Sequence, residues 1–484
     1  MNLSSKVLSD AWFSALRSGI SIFRKLTVIP LITKLLGSGS YGVWVVVLAF
    51  IGVVQEIGGM HLHGSLIRYG ILDEEKEQTY IDTVVLSIIL GMIISIIVLL
   101  IGVNADLSNI IEKEYSSYLD LILVSALLVF SNIVLKVNLN FPRAKQKVKM
   151  FEISRMVKQI IEIFALTLIF FLGGNVIQGI FGLLAISIAS NIVFFIIIFT
   201  KYEIPCPDIE NYIKYFKYSL PMIPKSISEK ILSNIDKYLI IYYLSPTAVG
   251  IYGVAYSVSR IFRVFTQLLN STLYPRIADN WEKQNIDEVE YLYNSIFRYL
   301  TIVAIPAIFG ITLISEPLLS LISTKEIADN GWVLIPVISI GFLFRGYENP
   351  LPYILTAVEE TGKIAKSVIL ASLVNVLLNI WWIPIYGLIG AAIATSISQF
   401  IIFVMISYYS SNYLQYPVPL DELKISIVSS IGMMFFLSIL PINGHPLVVI
   451  VSYTFSGIFI YFTIVYIFNG ISKNEIKKIK NLIN

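Results

Sequence analysis

Long apolar stretches separated by short polar segments run along almost the whole chain. Each has about 20 mostly apolar residues, the length that crosses the hydrocarbon core of a bilayer. Short breaks containing glycine or proline, such as Gly37–Gly39 and Pro384–Gly387, separate neighbouring stretches. The pattern predicts an all-α integral membrane protein with about fourteen transmembrane helices, at about 10–35, 41–66, 81–103, 116–139, 152–172, 176–200, 218–243, 247–273, 291–314, 332–357, 364–384, 387–409, 424–440 and 446–468.

Basic residues outside the predicted spans fall mainly on one side of the membrane. With the N-terminus placed in the cytoplasm, nineteen of the 35 Lys and Arg residues lie in inside segments. Only Lys34, Lys113 and Lys325 lie in outside segments. This bias follows the positive-inside rule. It predicts an even number of spans with both termini in the cytoplasm.

Two pairs of similar segments recur at nearly one offset. LLGSGSYGVW (Leu35–Trp44) resembles YLSPTAVGIY (Tyr243–Tyr252), and IFGLLAISIAS (Ile180–Ser190) resembles IYGLIGAAIAT (Ile385–Thr395). We therefore predict two six-helix lobes related by a pseudo-two-fold axis, over residues 1–205 and 206–415. Two additional helices and a basic cytoplasmic tail would follow in 416–484. Parallel repeats of this kind are typical of transporters.

Composition supports the membrane class and excludes several others. Residues are 56% hydrophobic and 14% charged, against about 25% charged in soluble domains. The net charge of +3 gives no reason to expect a nucleic-acid partner. A single cysteine, Cys206, excludes an internal disulfide framework. With only three histidines (His61, His63 and His445), we expect no metal site and no cofactor.

Thirteen basic residues lie inside the predicted spans. A cation at the centre of a membrane helix costs roughly 2.5–3.5 kcal/mol on insertion scales, so something negative should meet these residues. Some of the thirteen have an acid close in sequence, and others lie near the membrane edge, where a long side chain can reach water. The remaining six have no obvious acid: Arg17, Arg24, Lys25, Lys230, Arg260 and Arg263. Arginine binds phosphate through two parallel hydrogen bonds, which favours a phosphate-bearing substrate in a cleft between the lobes.

Other charges in the spans have acids close in sequence. Lys225–Glu229, Glu152–Arg155, Lys158–Glu162 and Arg345–Glu348 are three or four residues apart, so structural ion pairs are the alternative reading. The 152–162 run, Lys136 and Arg298 are expected to snorkel at the membrane edge. Arg345 is kept among the candidate substrate-binding residues. Three acids are candidates for H⁺ or Na⁺ coupling, with local salt bridges as the alternative: Glu56, Glu229 and Asp236.

Three segments resemble a known family. KYSLPMIPKSISEKILSNIDKYLIIYYLSPTAVGIYGVAY (Lys217–Tyr256) resembles the central signature of bacterial polysaccharide exporters of the Wzx, or O-antigen flippase, type. RKLTVIPLITKLLGSGSYGVW (Arg24–Trp44) and NIWWIPIYGLIGAAIATSIS (Asn379–Ser398) resemble its first-helix and late motifs. The superfamily also contains drug-extruding antiporters and peptidoglycan-precursor flippases.

The resemblance implies a flippase that moves undecaprenyl-pyrophosphate-linked glycan repeat units from the cytoplasmic to the outer leaflet. It implies location in the bacterial cytoplasmic membrane, with a polysaccharide polymerase and chain-length proteins as partners. By analogy with the peptidoglycan-precursor flippases, Arg17 and Arg24 on the first helix would bind pyrophosphate. On the eighth helix either Arg260 or Arg263 would do so.

Two alternatives remain at this point. A multidrug antiporter shares the superfamily, but drug-extruding relatives carry fewer cations in the cleft. A membrane glycosyltransferase or polymerase usually needs a sizeable external loop, and only short segments separate the predicted spans. We therefore expect a transporter and not an enzyme.

Overall fold

The structure is a computed structural model that describes residues 3–72, 76–104, 118–262, 276–415, 419–440 and 444–468. Within these ranges the chain forms helices joined by turns, without a β-strand. It divides into two compact units. Unit 1 holds the described residues up to Gly253 together with Val368–Gly387. Unit 2 holds Val254–Ser367 and the described residues from Leu388 onward.

Unit 1 contains α1 (Leu3–Gly58), α2 (Leu62–Leu72), α3 (Lys76–Asn104), α4 (Tyr118–Ala144), α5 (Val148–Phe171), α6 (Val176–Lys201), α7 (Glu210–Ser219) and α8 (Ile223–Tyr243). Unit 2 contains α10 (Ile286–Ile322), α11 (Lys325–Gly331), α12 (Leu334–Glu348), α13 (Pro352–Ala357), α15 (Leu420–Ile439) and α16 (Pro446–Ile467). Two helices have residues in both units: α9 (Pro246–Ser259) and α14 (Thr361–Ser410).

Eight of the described helices are long and apolar enough to cross a bilayer, or nine if α11 and the segment Leu334–Ala357 form one span bent by 60°. Two of the eight, α1 and α14, each contain a glycine with non-helical backbone, Gly37 (φ 91°) and Gly387 (φ 59°). Each therefore consists of two helices, as the glycine-containing breaks in the sequence predict. The all-α membrane class is confirmed, while the number fourteen and the lobe boundaries stay predictions.

The predicted span at 41–66 is wrong at its second end. Helix α1 stops at Gly58, and Met60 and His61 adopt left-handed backbone (φ 40° and 56°) before α2 begins at Leu62. A Cβ on Gly58 would lie 2.7 Å from Cγ2 of Ile94, so the glycine permits a close approach of α3. The glycine pair Gly58–Gly59 directly before the break is the signal in the sequence that marks it.

Helix α3 shows how the membrane reverses the usual burial pattern. Its large apolar side chains Met92, Ile96 and Leu100 are exposed, as expected for a lipid-facing surface. Its small residues face the interior. Ser95, for example, is buried and donates a hydrogen bond to the Ala126 carbonyl of α4. Small and hydroxyl-bearing residues are the usual contacts between membrane helices because they let backbones approach.

A chain of buried polar side chains links α3, α4 and α6. The Tyr80 hydroxyl donates to Asn138 Oδ1, and Asn138 Nδ2 donates to Asn191 Oδ1, both at 2.8 Å. Asn191 in turn donates to the Ser131 carbonyl, and Ser131 donates to Ser187. Because each polar atom in this chain finds a partner, these helices can bury amides in an apolar surround.

The two copies of the first repeat motif pack against each other within unit 1. A Cβ on Gly42 would lie 1.8 Å from the Pro246 carbonyl oxygen, and one on Gly250 would lie 2.2 Å from the Ser38 carbonyl oxygen. Gly42 and Gly250 occupy equivalent positions in the two motifs, and so do Ser38 and Pro246. This reciprocal contact is what a local two-fold relation between the motifs requires.

In unit 2, helices α10, α15 and α16 pack around an apolar cavity of about 500 Å³. The Tyr461 hydroxyl at its edge donates to the Ile302 carbonyl of α10 at 2.8 Å. This bond holds α16 against α10.

Candidate anion-binding site

Six charged residues face one another where α1 packs along α5 in unit 1, and we call this set the α1–α5 seam. On α5 the four charges are spaced by three or four residues, which places them on one helix face. On α1 the two arginines are seven residues apart and also share a face. The set consists of Arg17 and Arg24 on α1 and of Glu152, Arg155, Lys158 and Glu162 on α5.

The first contact of the seam centres on Glu162. Its carboxylate accepts a hydrogen bond from Arg24 Nη1 and another, of 2.5 Å, from Lys158 Nζ. The Glu162 side chain is only 4% exposed, whereas those of Arg24 and Lys158 are 29% and 21% exposed. A buried carboxylate thus bridges two cations that keep part of their surface open.

The second contact joins Arg17 to Glu152. Arg17 Nε and Glu152 Oε2 form an ion pair at 2.7 Å, and both side chains are largely buried. Arg155 lies close to both residues. The positive charge of Arg17 disfavours the charged form of Arg155, and the carboxylate of Glu152 favours it. The Arg155 guanidinium also lies 5.2 Å from the centre of the Phe151 ring, where the aromatic face stabilises a cation.

The seam therefore holds four cations and two carboxylates, which leaves two positive charges in excess. Uncompensated charge in an apolar surround is costly, so two positive charges favour the approach of a multivalent anion. Arginine can bind such an anion with two hydrogen bonds, whereas lysine acts as a point charge.

The prediction that Arg17 and Arg24 have no obvious acid is wrong, while the same prediction for Lys25 and Lys230 stays a prediction. Arg17 and Arg24 pair with acids that the sequence placed in a snorkelling group, because α5 packs along α1 and brings Glu152 and Glu162 to them. Lys25 and Lys230 each make an interaction as well. Within the predicted local pairs, Lys158–Glu162 is confirmed. Glu152 contacts Arg17 instead of serving only Arg155.

Two other cations predicted to snorkel form ion pairs instead. Lys136 Nζ donates to Glu56 Oε2 at 2.8 Å, so the alternative reading of Glu56 as a salt-bridge partner is the one observed. In unit 2, Arg298 Nε lies 3.0 Å from Glu422 Oε1. Long-range packing supplied an acid in both cases.

The break after α1 gathers titratable groups that the sequence did not connect. The rings of His61 and His63 lie 4.5 Å apart. Residues two apart in a regular helix would not share a face, but the backbone at His61 is left-handed and not helical. Lys136, Glu56, Lys225 and Glu229 all act electrostatically on His61. Burial lowers the pKa of His61 and, together with Lys136, lowers that of His63 to about 2. Both histidines are therefore neutral at physiological pH.

Asp236 on α8 is the most deeply buried of the predicted coupling acids. Its Oδ1 accepts a hydrogen bond from the Lys237 backbone N–H, while Oδ2 is buried without a hydrogen-bond partner among the described residues. Asn375 and Asn379, in the part of α14 that belongs to the same unit, also have buried side-chain oxygens without such a partner. A buried carboxylate oxygen left open in this way is suited to receive a cation or a proton.

The remaining predicted site residues belong to unit 2 or lie outside the described residues. Arg345 forms an ion pair with Glu348 at 3.1 Å, so the predicted local pair is confirmed. Arg260, at the end of α9, is exposed. Arg263 lies outside the described residues. The gathering of these cations with those of α1 in one cleft stays a prediction.

The charges of α5 were predicted to lie at the membrane edge, although the spacing of Arg155, Lys158 and both acids on one helix face was visible in the sequence. A helix whose charges all share one face needs a charged neighbour, and this signal could have pointed to α1, whose arginines share a face as well.

Comparison with known proteins gives a consistent result. The polysaccharide biosynthesis protein family matches residues 31–330, and the lipid II flippase MurJ family matches residues 214–465. The chain is 25% identical over 281 residues to the probable low-salt glycan biosynthesis flippase Agl15 of Haloferax volcanii, covering 57% of this chain and 59% of that protein. It is 23% identical over 370 residues to the probable flippase AglR of the same organism, covering 75% of each.

The chain thus spans less than two thirds of the length of the first of these relatives. A solved structure titled lipid II flippase MurJ, inward closed conformation, superimposes with a TM-score of 0.77 at 17% identity, covering 94% of this chain and 98% of that one. At this identity the likeness shows a shared fold.

Proposed function

Because the chain belongs to the polysaccharide biosynthesis protein family, we propose that it is a flippase that moves a lipid-linked glycan across its membrane. One observation carries the proposal: the α1–α5 seam places two excess positive charges inside a membrane protein. A phosphate group that links a glycan to its lipid carrier is the kind of anion that such a seam would bind. The relatives Agl15 and AglR are both described as probable flippases, which supports the same proposal.

We also propose the lipid carrier, the glycan cargo and the membrane in which the protein works. We infer undecaprenyl pyrophosphate as the carrier and an O-antigen or a related surface glycan as the cargo, following the Wzx-type resemblance. The membrane would be the bacterial cytoplasmic membrane, with both termini in the cytoplasm, as the distribution of basic residues favours. A polysaccharide polymerase and chain-length proteins would take over the exported units. Movement would follow alternating access, in which the site opens to one side at a time.

A reconstituted flipping assay tests the proposal. Purified protein in liposomes should carry a fluorescent undecaprenyl-pyrophosphate-linked disaccharide to the outer leaflet, where an added quencher reaches it. A lipid with the same disaccharide but no phosphate should stay in its leaflet, because a neutral head group offers no negative charge for the cations of the seam to bind. Equal movement of both lipids would contradict the phosphate site. Elongation of the glycan in place of movement would indicate a polymerase.

Coupling to an ion gradient gives a separate prediction. We propose that Asp236 binds H⁺ or Na⁺ through its Oδ2, which is buried without a hydrogen-bond partner among the described residues. Asp236→Asn keeps the shape and removes the charge, so flipping should lose its response to an imposed Na⁺ or H⁺ gradient. The matched variant Asp421→Asn makes the same change at an exposed aspartate of unit 2 and should keep the response. An unaltered gradient response in Asp236→Asn would rule out this residue.

A further inference from the structure

We propose that Glu162 is a built-in substitute for the substrate phosphate: the phosphate displaces it from Arg24 and Lys158, and its return helps to release the substrate. The inference rests on the proposed function. It assigns the binding of phosphate to Lys158 as well as to Arg24. It assigns to Glu162 the role of an internal competitor.

Arg24, Lys158 and Glu162 are arranged so that the acid is covered and the two cations are not. Glu162 is almost fully buried, and both of its hydrogen-bond donors are partly exposed. The two cations therefore have side-chain surface that a second anion can approach, while the carboxylate itself is covered. Since one carboxylate bridges two cations from two different helices, its departure frees two positively charged donors together.

The charges of these side chains also favour an exchange of one anion for another. Two cations in an apolar surround need an anion whether or not substrate is bound, because leaving them uncompensated is costly. A transporter must also let its substrate go, so a very favourable site would hold a pyrophosphate too tightly to cycle. A carboxylate tethered to α5 has an effective concentration of roughly millimolar or more, and it competes in every cycle without being lost. A phosphate with more charge and more acceptor oxygens can still displace it.

Glu152 does not meet the same conditions. It forms one ion pair, with Arg17, and bridges no second donor among the described contacts of the seam. Arg155, on the same helix face, interacts mainly with Arg17, Glu152 and the Phe151 ring. The Arg17–Glu152 pair therefore fits a fixed part of the seam that holds α1 and α5 together, beside the part where anions exchange.

The experiment measures binding of inorganic pyrophosphate to the full chain in nanodiscs by calorimetry. Glu162→Gln keeps the side-chain shape and removes the competing charge, so it should bind pyrophosphate about tenfold more tightly than the unaltered protein. Lys158→Met should weaken binding. The control Glu77→Gln makes the same change in an ion pair with Lys145 outside the seam and should leave binding unchanged. If Glu162→Gln does not fold, Glu162→Asp is measured instead: its shorter side chain keeps the charge but bridges Arg24 and Lys158 less well, so it should still bind pyrophosphate more tightly than the unaltered protein, and unchanged binding would refute the competitor role.

Transport kinetics give the second readout. If Glu162 assists release, Glu162→Gln should lower both KM and kcat for flipping, since substrate binds more tightly and leaves more slowly. A merely structural role would lower the amount of folded protein without lowering KM.

The outcomes separate the two proposals. If Arg24→Ala and Lys158→Met weaken pyrophosphate binding but Glu162→Gln does not tighten it, the role of Glu162 as a competitor is refuted while the phosphate site stands. If none of the three variants changes binding, the phosphate site itself is refuted.

Discussion

Arg24→Ala is expected to abolish export of the glycan while leaving the protein in the membrane. Arg24 is the one seam residue on α1 that contacts the bridging carboxylate Glu162, and its side chain is 29% exposed. Arg24→Ala removes a guanidinium that can donate two hydrogen bonds to one phosphate. A lysine ammonium replaces it poorly, so Arg24→Lys should retain only part of the activity. The measurement is surface glycan in cells that lack the chromosomal gene and carry the variant, with membrane content followed by immunoblot.

Two controls separate a binding defect from a folding defect. Lys34→Ala removes an exposed cation further along α1, outside the seam, and should leave export intact. Breaking one side of a buried ion pair can cost about 3–5 kcal/mol, but Lys158 still compensates Glu162 in Arg24→Ala, so we expect a smaller loss and a folded protein. Arg24→Ala combined with Glu162→Gln should regain stability and stay inactive. Normal surface glycan in Arg24→Ala would refute its role.

Gly42→Ala and Gly250→Ala are expected to destabilise the protein severely. The added Cβ atoms would lie 1.8 Å and 2.2 Å from backbone carbonyl oxygens, distances that no side-chain movement can relieve. The backbones must separate, and overpacking of this kind costs about 1–3 kcal/mol or more. The measurement is the melting temperature of the purified variants in detergent, which we expect to fall by several degrees for each.

Gly52→Ala is the matched control, because nothing lies within 4 Å of its Cβ position in the same helix. Alanine is favoured over glycine in a helix interior by about 0.5–1 kcal/mol, so this variant should melt at or above the original temperature. Equal melting temperatures for all three variants would show that the two motifs do not approach each other closely.

The helices themselves were largely predictable, since hydropathy alone defines a membrane helix. The breaks at Gly37 and Gly387 were predictable for a similar reason, because a glycine between two apolar runs permits the backbone to turn. The break at Met60 and His61 directly follows the glycine pair Gly58–Gly59, so the same signal was present there although the predicted span ran through it. Its consequence, the contact between the rings of His61 and His63, was not visible in the sequence.

The charges show the boundary between sequence and tertiary structure most clearly. The sequence by itself determined that this is a multi-pass helical membrane protein with arginines in its spans, and that Arg17 and Arg24 share a helix face. Only the tertiary structure decided which acids meet them, because hydropathy does not specify which helix packs beside α1. Glu162 is 138 residues from Arg24 in the chain, and helix packing alone brings them together. That packing turned two apparently unpaired arginines into a seam with a buried carboxylate bridging two cations.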